Sequence, residues 1–86
     1  MSSVRIGTSG VATVSRLLGE ISAGRGLADD LREYATYWAP AVQRKMDRRD
    51  VEVVASLLRS ASVSRGLPAA KREKAHYWAS YLESRM

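Results

Sequence analysis

The chain has 86 residues, with 14 Lys and Arg against 9 Asp and Glu, a net charge of +5, a single His and no Cys. That length provides one small domain. The absence of cysteine excludes a disulfide scaffold, and one histidine leaves too few ligands for a structural zinc site. An apolar fraction of 45% favours a folded core over disorder, and no apolar run approaches the ~18 residues that span a bilayer. The first residues, Met1-Ser2-Ser3-Val4-Arg5-Ile6, lack an apolar signal core. The expected setting is the cytoplasm, and neither secretion nor membrane contact is expected.

Residues 1–10 read as an N-terminal arm. From there the chain repeats itself. A shift of 40 lays Val11–Met46 over Val51–Met86 without a gap, and 15 of the 36 positions are identical. The matches include Leu17-Leu18 with Leu57-Leu58, Arg25-Gly26-Leu27 with Arg65-Gly66-Leu67, and Tyr37-Trp38-Ala39 with Tyr77-Trp78-Ala79. Shared helical composition would not keep a loop and an aromatic pair in register, so the pattern reads as an internal duplication.

Each copy predicts a helix, a tight turn and a second helix. In the first copy Val11, Val14, Leu17, Leu18 and Ile21 share one helical face, and Thr8 or Ser9 is placed to cap it. Turns follow at Ala23–Leu27 and Val63–Leu67. Gly24 is exchanged for Ser64 while Gly recurs at 26 and 66, so the second glycine of the turn is expected to need positive φ. The second helix presents the stripe Leu31, Ala35, Trp38, Val42 and Met46, and Pro40 is expected to kink it, end it near Tyr37 or begin a further helix. Residues 47–50 read as a linker, with Asp47 or Asp50 available as a cap. The third helix carries Val51, Val54, Leu57, Leu58 and Ala61. Pro68 fits the first turn of the fourth, whose stripe is Lys71, Ala75, Trp78, Leu82 and Met86, with Lys71 at a core margin. A hairpin of this size cannot bury its own apolar face. The two hairpins, 11–46 and 51–86, are therefore expected to form one all-α, pseudo-twofold four-helix bundle around two central tryptophans.

No catalytic constellation emerges. His76 stands without a nucleophile and an orienting partner at recognisable spacing, the acids Asp29, Asp30 and Glu33 sit where a helix dipole favours them, and no strand precedes the glycine turns. The expectation is a non-enzymatic protein with no cofactor and no metal. Two candidate surfaces remain. One is aromatic: Tyr34, Tyr37, Trp38, Tyr77, Trp78 and Tyr81, residue types that anchor protein interfaces. Adjacent helical residues diverge by about 100°, so one member of each Tyr-Trp pair must approach the surface. The other surface is basic. Residues 53–86 carry six cationic groups against two acids, and Arg25, Arg65, Lys71, Arg72 and Lys74 lie in the turns or the start of the fourth helix, where anions such as nucleic-acid phosphates are attracted.

Two family resemblances attach to these residues. Val4-Arg5-Ile6, Gly10-Val11-Ala12, Leu17-Leu18, Leu31 and Ala35-Thr36-Tyr37-Trp38-Ala39-Pro40 resemble, in that order, the start of small neck or tail-completion (head–tail connector) proteins of phages infecting actinobacteria. That likeness implies a structural role in virion assembly through protein–protein contacts; a second helical copy stands where the family has a β-rich remainder. The segment Val63-Ser64-Arg65-Gly66-Leu67-Pro68-Ala69 resembles the DNA-binding loop of actinobacterial xenogeneic silencers, with Leu67 in place of that loop's second arginine. It implies a DNA contact at Arg65, and at Arg25 in the first copy. The sequence thus points first to a helical assembly module of a phage or mobile element, acting through a protein partner or itself. The alternatives are a basic DNA-binding protein and a regulator that captures one host protein on its Tyr-Trp surface.

Overall fold

Four helices account for most of the chain: α1 (Thr8–Ser22), α2 (Asp29–Ala41), α3 (Arg48–Ser62) and α4 (Ala69–Ser84). They are seen in a computed structural model that describes residues 8–44 and 46–85. The start of the arm and the position of Met86 lie outside the described residues. The fold is all-α, as expected. Equivalent helices begin 40 residues apart, the offset of the sequence match.

The helix ends follow local chemistry. Asp47 is the N-cap of α3, its carboxylate accepting from the Asp50 N–H at 2.9 Å while Asp50 Oδ2 accepts from the Asp47 N–H at 3.2 Å. Two orphan donors are thereby satisfied reciprocally. Residues 47–50, read as a linker, are the cap and first helical turn of α3, and residues 8–10, read as part of the arm, belong to α1. The side chains of the candidate caps Thr8 and Ser9 lie outside the described residues. Asp29 and Asp30 sit in the first turn of α2, and Asp30 Oδ1 accepts from the Leu31 N–H at 2.8 Å. Pro68 takes the N-cap of α4, one residue earlier than expected.

Pro40 neither ends α2 at Tyr37 nor opens a further helix among the described residues. It lies inside α2, which closes at Ala41 with the Val42 N–H donating to Trp38 O at 2.9 Å. Two i→i−3 bonds follow, from Gln43 to Pro40 O and from Arg44 to Ala41 O. Near a C-terminus the missing Pro N–H removes one bond without undoing the helix, but α4, with Ser80 at the matching place, runs to Ser84.

Burial explains the assembly. Val14, Leu17, Leu18 and Ile21 of α1 and Val51, Val54, Leu57, Leu58 and Ala61 of α3 are buried with Leu31, Ala35, Ala75, Ala79 and Leu82, and Leu27 and Leu67 pin the turns beneath them. Among the described residues no polar or charged residue is buried. α1 packs mainly on α2 and α3 on α4, and the hairpins are joined where α2 meets α3 and α1 meets α4. The tryptophans are not central: Trp38 and Trp78 are half-buried and cover the edge of the core. Fully buried beside them on α2 and α4 are instead the small Ala35, Ala75 and Ala79.

The two turns touch. Gly26 has φ +83°, whereas Gly66 does not have positive φ. Gly66 is required for another reason: a Cβ on it would lie 2.7 Å from the Gly26 carbonyl oxygen and 2.8 Å from its carbonyl carbon.

Candidate functional site

The aromatic residues of α2 and α4 divide into three groups. On α2, Tyr37 and Trp38 meet edge to face with ring centroids 5.1 Å apart and planes at 87°. On α4, Tyr77 and Trp78 repeat that geometry at 5.1 Å and 89°, and Trp78 also meets Tyr81 at 5.2 Å. Arg85 stacks over Tyr81, its guanidinium carbon 4.9 Å from the ring centroid, and donates to its hydroxyl at 3.0 Å. In each pair the tryptophan covers the core and the tyrosine faces out, with Tyr37 64% and Tyr77 60% exposed. That outcome follows from the 100° step between neighbours. Tyr34 belongs elsewhere: it is one turn earlier on α2 and faces α3.

Between α2 and α3 lies an open groove of about 560 Å³. Leu31 and Leu57 form its buried floor, Tyr34 and Val53 stand exposed on its walls, and Asp30, Glu52 and Arg49 bring charge to its rim; Ser56 and Ser60 complete it. The matching place between α4 and α1 is built differently. Lys71 replaces Leu31 and Glu20 replaces Ser60, and the two are paired, Nζ to Oε2, at 3.8 Å. Lys74 stands there instead of Tyr34 and Thr13 instead of Val53. The α2–α3 junction therefore differs from the α4–α1 junction in the side chains that line it. Sequence reasoning found only Tyr34 among its residues. The signal available was the divergence of the copies at 30, 31 and 34, together with Val53 on the otherwise polar side of its helix.

The basic candidates do not form one patch. Arg25 and Arg65 are exposed, and the contact between Gly26 and Gly66 sets their turns against each other. Lys71 is half-buried and engaged with Glu20. Arg72 is half-buried, and its Nε is shielded from solvent without a hydrogen-bond partner among the described residues, as is the Nε of Arg32 at the matching position. Lys74 is exposed one turn after Ala70.

His76 takes part in a polar link between α3 and α4. Arg59 bonds His76 Nδ1 at 2.8 Å, donates to Ser80 Oγ at 3.3 Å and to Glu83 Oε1 at 2.6 Å. With the arginine as donor, Nδ1 is the acceptor, and Ser80 is held by arginine rather than by the imidazole. The first hairpin carries a different link: Ser15 Oγ donates to Ala39 O at 2.6 Å and accepts from Gln43 Nε2 at 2.9 Å. Among the described residues no group of three or more His, Cys, Asp or Glu could hold a metal ion, and no helix is long and apolar enough to cross a membrane. Comparison with family models, curated proteins and solved structures returned no match at any of the three levels.

Proposed function

We propose that the protein is a non-enzymatic helical assembly module that binds a protein partner in the groove between α2 and α3. The observation that carries this reading is the open apolar groove itself, with Val53 39% and Tyr34 58% exposed above Leu31 and Leu57. An apolar floor with a charged rim suits the side chains of a helix laid along it, and Tyr is a common anchor in such contacts. The sequence likeness to head–tail connector proteins points the same way, towards a structural role in a phage or mobile element.

The test is a photo-crosslinking amino acid placed at Tyr34 in the native host, with the exposed position Arg16 on α1 as control. A discrete adduct at Tyr34 that Val53→Arg abolishes supports the reading. Equal labelling at both positions, or an adduct indifferent to Val53→Arg, refutes it.

A second reading has its own observation, the joined turns that bring Arg25 and Arg65 to one end of a molecule of net charge +5. A duplex contact there would cross phosphates through both turns, and each phosphate neutralised adds about −0.9 to the slope of log affinity on log salt. Fluorescence anisotropy with labelled duplex tests it: Arg25→Glu and Arg65→Glu should each weaken binding and flatten that slope. Absence of binding at low salt removes this reading.

A further inference from the structure

We propose that the occupant of the α2–α3 groove is a second copy of this chain, presenting the outer face of its α4, so that the protein associates head to tail. The inference rests on the groove reading above and names its partner.

The two halves offer opposite surfaces at the same place in their hairpins. The first six residues of α2, Asp29–Tyr34, hold three acids and one arginine, whereas the first six of α4, Ala69–Lys74, hold three bases and one acid. On the receiving side, Asp29 is tied to Arg32 within its own helix. Asp30 and Glu52 at the groove rim have no ion-pair partner among the described residues, and Arg49 is the one cation of that rim. On the presenting side, Ala70, Lys74 and Tyr77 follow at i, i+4 and i+7, so they share one face, and all three are exposed. Lys74 lacks an ion-pair partner among the described residues. Lys71 and Glu73 border that face, the former already engaged with Glu20.

This pairing is complementary in kind. A small residue, a cation without an ion-pair partner and an exposed ring on α4 meet carboxylates without a cationic partner and an apolar wall of Tyr34 and Val53. The groove and the α4 face are unlike surfaces, and where the α2–α3 junction has Leu31 and Ser60 the α4–α1 junction carries the Lys71–Glu20 pair. The contact therefore joins unlike surfaces and leaves one of each free at the ends. Head-to-tail contacts of this kind build rings where the rotation closes and open chains where it does not.

Sedimentation velocity on the full chain over a concentration series tests the inference. The wild type is expected to form species beyond a dimer as concentration rises. Val53→Arg blocks the groove and Lys74→Glu reverses the presenting face; each alone should weaken self-association by about tenfold or more. Mixed in equal amounts they should give a heterodimer and nothing larger, since one supplies the intact groove and the other the intact α4 face. All of these positions are exposed, circular dichroism verifies the fold, and Tyr34→Lys with Ala70→Glu forms a second pair to the same end. A wild type that stays monomeric overturns the second copy as occupant while leaving the groove reading to the crosslink at Tyr34. Self-association indifferent to both variants, or a mixture that fails to pair, overturns it as well. Failure of the groove reading itself looks different: the crosslink at Tyr34 is then no stronger than at Arg16.

Discussion

Gly66 packs so closely against the peptide of Gly26 that the turn of the second hairpin has no room for a side chain there. The two glycines occupy the same position of the sequence match at a shift of 40, yet they are glycine for different reasons. Gly26 adopts φ +83°, which an L side chain resists, while the nearest atom to its added Cβ would be the Gly66 Cα at 3.8 Å, an ordinary contact. Gly66 has unremarkable φ and no room.

The difference is measurable. Gly26→Ala should cost about 1–2 kcal/mol through backbone strain, and Gly26→Asn less, since Asn tolerates that region. Gly66→Ala and Gly66→Asn should both cost about 1–3 kcal/mol or more, as overpacking of backbone against backbone. Thermal unfolding monitored by circular dichroism distinguishes them. Equal tolerance of Asn at both positions would contradict the account.

The same pair shows how far the sequence could be read. A turn that keeps Arg-Gly-Leu in both copies announces that the second glycine matters, and the helices, their apolar faces and the exposed tyrosines follow from periodicity alone. What periodicity cannot supply is how the hairpins meet. Gly66 is conditioned by a residue 40 positions away, and so its constraint is invisible to any local rule. The tryptophans stand at the edge of the core for a related reason. Ring size suggests a central position, but fully buried beside them are the small Ala35, Ala75 and Ala79, and the indoles are left to the edge. The groove was legible only as an asymmetry between copies at residues 30, 31 and 34.

Asp47 should behave as a structural cap. Removing its carboxylate by Asp47→Ala leaves the Asp50 N–H without its partner and should cost about 1 kcal/mol, while Asp47→Ser should recover most of it. For a domain of this size a loss of 1 kcal/mol lowers the melting temperature by about 4–8 °C. An Asp47→Ala protein that melts with the wild type would show that α3 is held by its buried face alone.

Leu18 and Leu58 are both fully buried, one in each hairpin. Truncation to Ala should cost about 2–5 kcal/mol at either site through lost transfer energy and the cavity left behind. Because the hairpins share one core, each variant should unfold in a single cooperative transition, with fluorescence of the tryptophans and far-ultraviolet dichroism coinciding. Two separated transitions would mean that each hairpin is stable without the other, contrary to the size of its apolar face.

Lys71 and Glu20 are each more than a third exposed, and their 3.8 Å separation is at the long end for an ion pair. Such a pair contributes about 0–1 kcal/mol, so its value to the fold is small and its effect on shape is the larger one. Replacing both, Lys71→Leu with Glu20→Ser, installs at the α4–α1 junction the residues that leave the α2–α3 groove open. The double variant should keep its melting temperature within a few degrees and expose a second apolar recess, seen as increased binding of an environment-sensitive fluorophore. Wild-type levels of dye binding would show that Tyr34 and Val53, which this variant does not copy, are what make the groove, and would move the origin of the asymmetry from the ion pair to the walls.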